Sequence, residues 1–151
     1  MATRSGSAEW QGDLVTGLGR LTVGADRWTS EYSFGSRFHG VLDGAVVDDA
    51  ATNPEELLAA AHAACFSMAL SLGLTEQGHA PVTIQTRGQV HLRRIDGIPA
   101  IARIDLQTEA EVPGLDEAEF HKSAEAAKDS CIVSRALAGG VPEITLSARL
   151  R

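Results

Sequence analysis

Cysteine is nearly absent: Cys65 and Cys131 are the only two in 151 residues, and they stand 66 positions apart. A structural zinc site takes four ligands, usually with close CxxC-type pairs, so these two cannot form one by themselves. His39, His79, His91 and His121 show no ligand spacing either, and neither metal nor cofactor is expected. Positive charge is also scarce, with 13 Lys and Arg against 20 Asp and Glu and a net charge of -7. The basic residues are scattered, which speaks against a nucleic-acid or anionic-membrane partner. The first ten residues, MATRSGSAEW, hold no apolar run of the kind a secretory signal requires, so the chain is read as cytoplasmic with both thiols reduced at rest. Linkers, internal repeats and low-complexity tracts are missing as well. With 44% hydrophobic, 22% charged and 5% aromatic residues, the chain is expected to form a single domain, residues 1–151, around one core.

Long apolar runs are limited to one. Residues 57–74, LLAAAHAACFSMALSLGL, just reach the length at which a membrane span must be considered. Six alanines, His62, Ser67 and Ser71 make the run weakly apolar, and nothing comparable occurs elsewhere. It is therefore read as a core helix buried on every side. Asn53-Pro54-Glu55-Glu56 supplies its start: Asn53 caps, Pro54 suits the first helical position, and Glu56 completes a capping box. The helix is expected over 54–72, stopping near Gly73.

Before it, AEWQGDLVTG and GRLTVGADRW alternate in the strand manner around Gly17 and Gly19, an opening hairpin. Residues 33–52 are irregular and glycine-rich, a long loop of the functional or mobile kind. After the helix, VTIQTRGQVHLRRID and IPAIARIDLQTEAEV flank Gly97 and Pro99 as a second hairpin. Asp116 and Glu119 repeat the capping signature, and Phe120, Ala124, Ala127, Cys131, Ser134 and Ala138 mark a second helix ending at Gly139-Gly140. EITLSARL is a last strand. Hairpin-joined strands without a βαβ repeat indicate an α+β fold with a largely antiparallel sheet.

The stripe Leu58, Ala61, Cys65, Met68, Leu72 on the first helix and the matching stripe through Cys131 on the second are expected to face the same interior. Three readings of the thiols stand side by side: small buried hydrophobes, a disulfide between the helices, or a reactive pair. Reactivity requires a positive charge or a helix N-terminus to hold a thiolate, and Cys65 lies about eleven residues into its helix, beyond reach of the dipole. The charge must then come from elsewhere, and Arg37, set among aromatics in YSFGSRF, is a candidate.

These segments resemble the osmotically inducible protein C and organic hydroperoxide resistance (OsmC/Ohr) family. ATNPEELLAAAHAACFSMALSLGL is similar to its signature helix, YSFGSRF to its arginine segment, and VPGLDEAEF…AEAAKDSCIVSRAL to its second cysteine helix. AEWQGDLVTGLGRL and EITLSARL extend the resemblance over nearly the whole chain, and His62 in AAHAACFSMALS is similar to the OsmC branch. The resemblance implies an OsmC-like α+β fold: a curled, largely antiparallel sheet with two long central helices in an intertwined homodimer. It further implies a haem-free, metal-free thiol peroxidase that reduces organic hydroperoxides, and hydrogen peroxide less well. Matched position by position, Cys65 is the peroxidatic and Cys131 the resolving cysteine, Arg37 stabilises the thiolate, and Glu55 holds Arg37. The implied reductant is a dithiol, a lipoylated protein in particular.

In that reading the Cys65 thiolate attacks the peroxide, an alcohol leaves, and Cys131 condenses the sulfenic acid into a disulfide that a dithiol reopens. Phe34, Phe38, Phe66 and Met68 are candidate walls for an alkyl peroxide, with Phe66 and Met68 read first as core. Glu55 and Cys65 lie ten residues apart on one helix, about 15 Å at 1.5 Å per residue, so a shared site calls for two copies crossing near Ala60. Three departures from the family pattern stand out: a longer 39–51 segment, Ala51 in place of a glycine, and Ile132 where proline is common after the second cysteine. Two other functions fit parts of the sequence. His62, three residues before Cys65, could serve a Cys-His hydrolase, although Cys65 in mid-helix lacks an oxyanion hole. A non-catalytic binding or stress protein of the same fold would keep both cysteines as structural residues and would consume no peroxide.

Overall fold

The computed structural model describes residues 2–150. The chain gathers into two compact units, one ending at Leu57 and the other beginning at Leu58.

The first unit opens with an antiparallel meander of β1 (Gly6–Gln11), β2 (Leu18–Val23) and β3 (Trp28–Ser33). The expected hairpin is thus extended by a third strand. Its sequence, WTSEYS, lacks the apolar alternation that reveals a half-buried strand, because most of its residues are exposed or half-buried. Gly19 pairs with both Trp10 and Tyr32 across the sheet, and a Cβ there would fall 2.3 Å from the Tyr32 ring. Its absence lets the Trp10 and Tyr32 rings meet at 5.4 Å over the middle strand.

A short helix, α1 (Phe34–Phe38), follows directly. Ser33 and Ser36 cap it reciprocally, which is how a segment that reads as irregular becomes ordered. The long 39–51 stretch is tied back over it. The Ser33 hydroxyl donates to Asp48, and a Cβ on Gly35 would lie 2.1 Å from the Val46 carbonyl oxygen, so only glycine admits that crossing. Ser36 Oγ then donates to the Thr52 carbonyl at 2.7 Å, and Asn53 Nδ2 to the Ser36 carbonyl at 3.0 Å.

The unit boundary falls within α2 (Pro54–Glu76). Asn53 caps it through the Glu56 N–H at 2.9 Å, but the second half of the expected capping box is replaced: the Glu56 carboxylate accepts from the Thr52 hydroxyl at 2.8 Å. Gly73 lies inside the helix. The stop comes at Gly78, whose φ of 86° permits paired bonds from His79 N–H to Leu74 and from Gly78 N–H to Thr75, a Schellman ending.

In the second unit β4 (Thr83–Ile95) and β5 (Ile98–Glu111) form a long antiparallel hairpin, and β6 (Ile144–Leu150) joins β5 in parallel. The turn residues Asp96 and Gly97 both have positive φ, 52° and 81°, the requirement of a two-residue primed turn. The fold is α+β, but the expected single sheet is two three-stranded sheets, and one strand pair is parallel. Phe66, Leu70 and Leu74 of α2 pack with Leu106 and Ala110 of β5 and with Phe120, Ala124 and Ala127 of α3 (Glu117–Ser130). Burial of each large side chain contributes about 1.5–3 kcal/mol. α2 lies close over β4 at Gly88, where a Cβ would stand 2.6 Å from the Ala59 carbonyl oxygen.

Two expectations about these helices are corrected. The buried stripe of α2 is His62, Phe66, Leu70, Leu74, whereas Ala61, Met68 and Leu72 are exposed. The helix is long and apolar enough to cross a membrane by length and composition, yet only 22% of its most apolar window is buried within the chain. It is therefore not buried on every side. The second helix also does not run unbroken to Ala138. Cys131, at φ -56° and ψ 124°, interrupts it and separates α3 from α4 (Ile132–Leu137).

Candidate active site

The predicted site residues come together as two groups, one in each unit. In the first, capped α1 presents Arg37 to Glu55, the second residue of α2. Arg37 Nη2 donates to Glu55 Oε1 at 3.0 Å, and Nε donates to Oε1 and Oε2 at 3.2 and 3.3 Å. This forked geometry is one that arginine makes and lysine cannot. The Glu55 side chain is 10% exposed and that of Arg37 40%, so the carboxylate is embedded while the cation still faces outward. The Arg37 guanidinium also lies 5.0 Å from the centre of the Phe38 ring, and Phe38 packs on buried Phe34 at 5.4 Å.

The second group holds the thiols. Both cysteines are free. Cys131 is 1% exposed and belongs to the core, whereas Cys65 is half-buried and packs against that core from α2. Burial pushes the Cys131 thiol up, but four neighbouring groups outweigh this and hold it below the ordinary thiol value: the Ser134 N–H, the Cys65 thiol, the Ser134 hydroxyl and the Val133 N–H. The Cys131 side chain makes no capping hydrogen bond on α4. The helix break creates this arrangement, because the first N–H groups of α4 have no intrahelical partner.

His62 is fully buried, and its Nε2 lies 2.8 Å from Ser134 Oγ. The imidazole therefore bonds a hydroxyl, and the Cys-His pairing that a hydrolase would use is not made. Burial holds its pKa below the ordinary value, so it is a neutral ring at neutral pH. Phe66 is fully buried in the core as first read, while Met68 is 74% exposed on the opposite side of α2, contrary to its core reading. Ser134 was legible only as a member of an apolar stripe. The signal available was one polar residue in each of two apolar stripes, His62 and Ser134, each the answer to the other's burial.

The family model for OsmC-like proteins matches residues 47–147. A protein of Escherichia coli (strain K12) named Peroxiredoxin OsmC is 41% identical over 149 residues, covering 98% of this chain and 96% of the relative. Among solved structures, an OsmC-like protein of Vibrio cholerae superposes with a TM-score of 0.74 at 14% identity, covering 98% of this chain and 99% of that one. The organic hydroperoxide resistance protein OhrB of Bacillus subtilis superposes with a TM-score of 0.65 at 22% identity, covering 97% and 98%.

Proposed function

The chain belongs to the OsmC-like family, and from that membership and its facing thiols we propose that it is a cysteine peroxidase that reduces organic hydroperoxides to alcohols. The observation that carries the reading is a half-buried Cys65 packed against the same core cluster that holds the buried Cys131. The Cys65 thiolate attacks the distal peroxide oxygen. The O–O bond breaks, the alkoxide takes a proton and leaves as alcohol, and Cys65 becomes a sulfenic acid. Cys131 closes the disulfide with loss of water, and an external dithiol, a lipoylated protein in this reading, reopens it by exchange. Hydrogen peroxide, with no alkyl group to bury, is the poorer substrate.

Arg37 completes the site by holding the thiolate and pairing with the oxygen on which charge grows. Its partner Glu55 lies ten residues before Cys65 on one helix, about 15 Å along the axis, so the Arg37 that serves a given Cys65 comes from a second copy. The uncovered apolar stripe of α2, with Met68 and Leu72 flanked by Ala60, Ala61 and Ala64, supplies the isologous contact of such a homodimer. Phe34, Phe38 and Met68 then wall the peroxide's alkyl group, with Phe66 behind them. The whole of residues 1–151 acts as one domain in this reading, in the cytoplasm, since α2 carries the family match across the unit boundary.

An alkyl hydroperoxide supplied with an excess of dithiol should be consumed catalytically by the parent and not by Cys65→Ser. Loss of no peroxide by the parent would return the non-catalytic binding protein as the better reading. Mixing Cys65→Ser chains with Glu55→Ala chains should restore up to about half of the parental activity per mixed dimer, because one of its two sites regains both groups. A mixture as inactive as its components despite proven subunit exchange would sink the shared site.

A further inference from the structure

The peroxidase chemistry leaves two buried polar groups unused, His62 and Ser134. Both are held in the interior, at 0% and 6% exposure, and they are joined by a single contact of 2.8 Å between Nε2 and Oγ. Among the described residues, Nδ1 of the same ring is buried without a protein partner. A neutral imidazole carries one proton. Placed on Nδ1, that proton would make an orphaned buried donor, the costlier kind of unpaired group. Placed on Nε2, it is donated to Ser134 Oγ. The Ser134 hydroxyl then has its oxygen occupied by the histidine and its own hydrogen free to point elsewhere.

The neighbour on that side is Cys131. It precedes Ser134 by three residues, so the two side chains lie on one face at the head of α4, and the Ser134 hydroxyl is among the groups that hold the Cys131 thiol below its ordinary value. Cys131 is itself only 1% exposed, so water cannot supply the donor that a buried thiolate needs. Resting on the peroxidase reading above, we infer that Ser134, oriented by a hydrogen bond from His62, is a positioning residue for the resolving step. Its hydroxyl stabilises the Cys131 thiolate and aims it at the oxidised Cys65.

The step balances as follows. Cys131 gives up its proton, which the departing oxygen takes, and the thiolate electron pair forms the S–S bond as the S–O bond of the Cys65 sulfenic acid breaks. The hydroxide of the sulfenic acid leaves with that proton as water. The Cys65 sulfur is reduced and the Cys131 sulfur oxidised to the common disulfide level. Without the Ser134 donor, the same closure begins from a neutral buried thiol.

Single-turnover experiments separate this role from a structural one. After one equivalent of alkyl hydroperoxide, Ser134→Ala should form the Cys65 sulfenic acid at the parental rate but convert it to disulfide about tenfold more slowly or worse, the size expected for losing a bond to a charged group. His62→Leu should slow closure in the same direction. His62→Gln, whose amide can still donate to the hydroxyl, should recover it. Parental closure in Ser134→Ala would overturn the inference, and so would equal slowing of both steps, which is what loosened packing produces. If the parent forms no sulfenic acid, the peroxidase reading fails and a second measurement decides this one. In a Cys65→Ser chain, which retains a hydroxyl donor, the ultraviolet thiolate absorbance of Cys131 at neutral pH should fall when Ser134→Ala is added. An unchanged absorbance would overturn the role of Ser134 independently of any peroxide.

Discussion

The two cysteines sit on helices built in opposite ways. α2 runs unbroken for 23 residues between Asn53 and Gly78, and it leaves Cys65 half-buried beside a stripe that its own chain does not cover. The second cysteine lies at a break between α3 and α4, sealed in the core with backbone and hydroxyl donors around the sulfur. The difference teaches where each thiol finds its charge. In the proposed reading Cys65, far from any helix end, depends on a cation from a second copy, the role given to Arg37, whose guanidinium Glu55 holds. Cys131 sits at a helix break, and the N–H groups of Ser134 and Val133 and the Ser134 hydroxyl hold its thiol below the ordinary value without a cation. In the proposed reading one thiol meets a molecule from solution and the other meets only its neighbour.

The comparison is broken most severely by removing the external charge. Arg37→Ala should lower peroxide turnover by about 10²–10³-fold, the scale of losing a preorganised electrostatic group, and should slow the alkylation of Cys65 throughout its profile. Cys131 alkylation in the same variant should keep its parental profile. Identical changes at both cysteines would erase the distinction. Packing gives the next effect. Gly88→Ala pushes a methyl to within 2.6 Å of the Ala59 carbonyl, and denaturant unfolding should show a loss of about 1–3 kcal/mol.

His62 sharpens the account through pH. Its folded-state pKa lies below the ordinary 6.5 because burial disfavours the cation. At higher pH neither state binds the proton, so the group has no effect on stability. As pH falls through 6.5 the unfolded chain takes up a proton that the folded ring refuses, and stability declines until the folded pKa is reached. Urea midpoints of the parent should therefore fall over this range more than those of His62→Gln. The smallest effect is expected at Ile132, the first residue of α4. Cys131 already has the extended ψ that precedes proline, and proline at a first helical position forfeits no intrahelical bond. Ile132→Pro should stabilise the chain by about 0.4–1 kcal/mol, with disulfide closure unchanged.

Much of this fold was legible because capping and turn residues carry strong local signals. Asn53, Asp116 and the strands on either side of Gly97 placed α2, α3 and the long hairpin, and the family motifs carried the α+β class. The third strand of the meander and α1 were not legible. WTSEYS has no apolar face, and the order of YSFGSRF depends on Ser33, Ser36 and a crossing at Gly35 that only tertiary structure reveals. The assignment of faces on α2 was misread for a related reason. In a run made largely of alanine, leucine and methionine, periodicity does not distinguish a face buried in its own chain from one left for a partner. The interruption at Cys131 was hidden because the apolar spacing continues through it, and with it the environment of the second thiol. The Arg37–Glu55 contact was expected only through family resemblance, since no spacing rule joins residues 18 positions apart.

The order in which the two sulfurs are oxidised bears on the whole scheme. Cys131→Ser and Cys65→Ser chains should be exposed to an alkyl hydroperoxide, trapped with a sulfenic-acid reagent and mapped by mass spectrometry. The account predicts the adduct on Cys65 in Cys131→Ser and no adduct on Cys131 in Cys65→Ser. An adduct on Cys131 in the second variant, with Cys65 unmodified in the first, would contradict it by making the buried, donor-surrounded thiol the one that meets the peroxide.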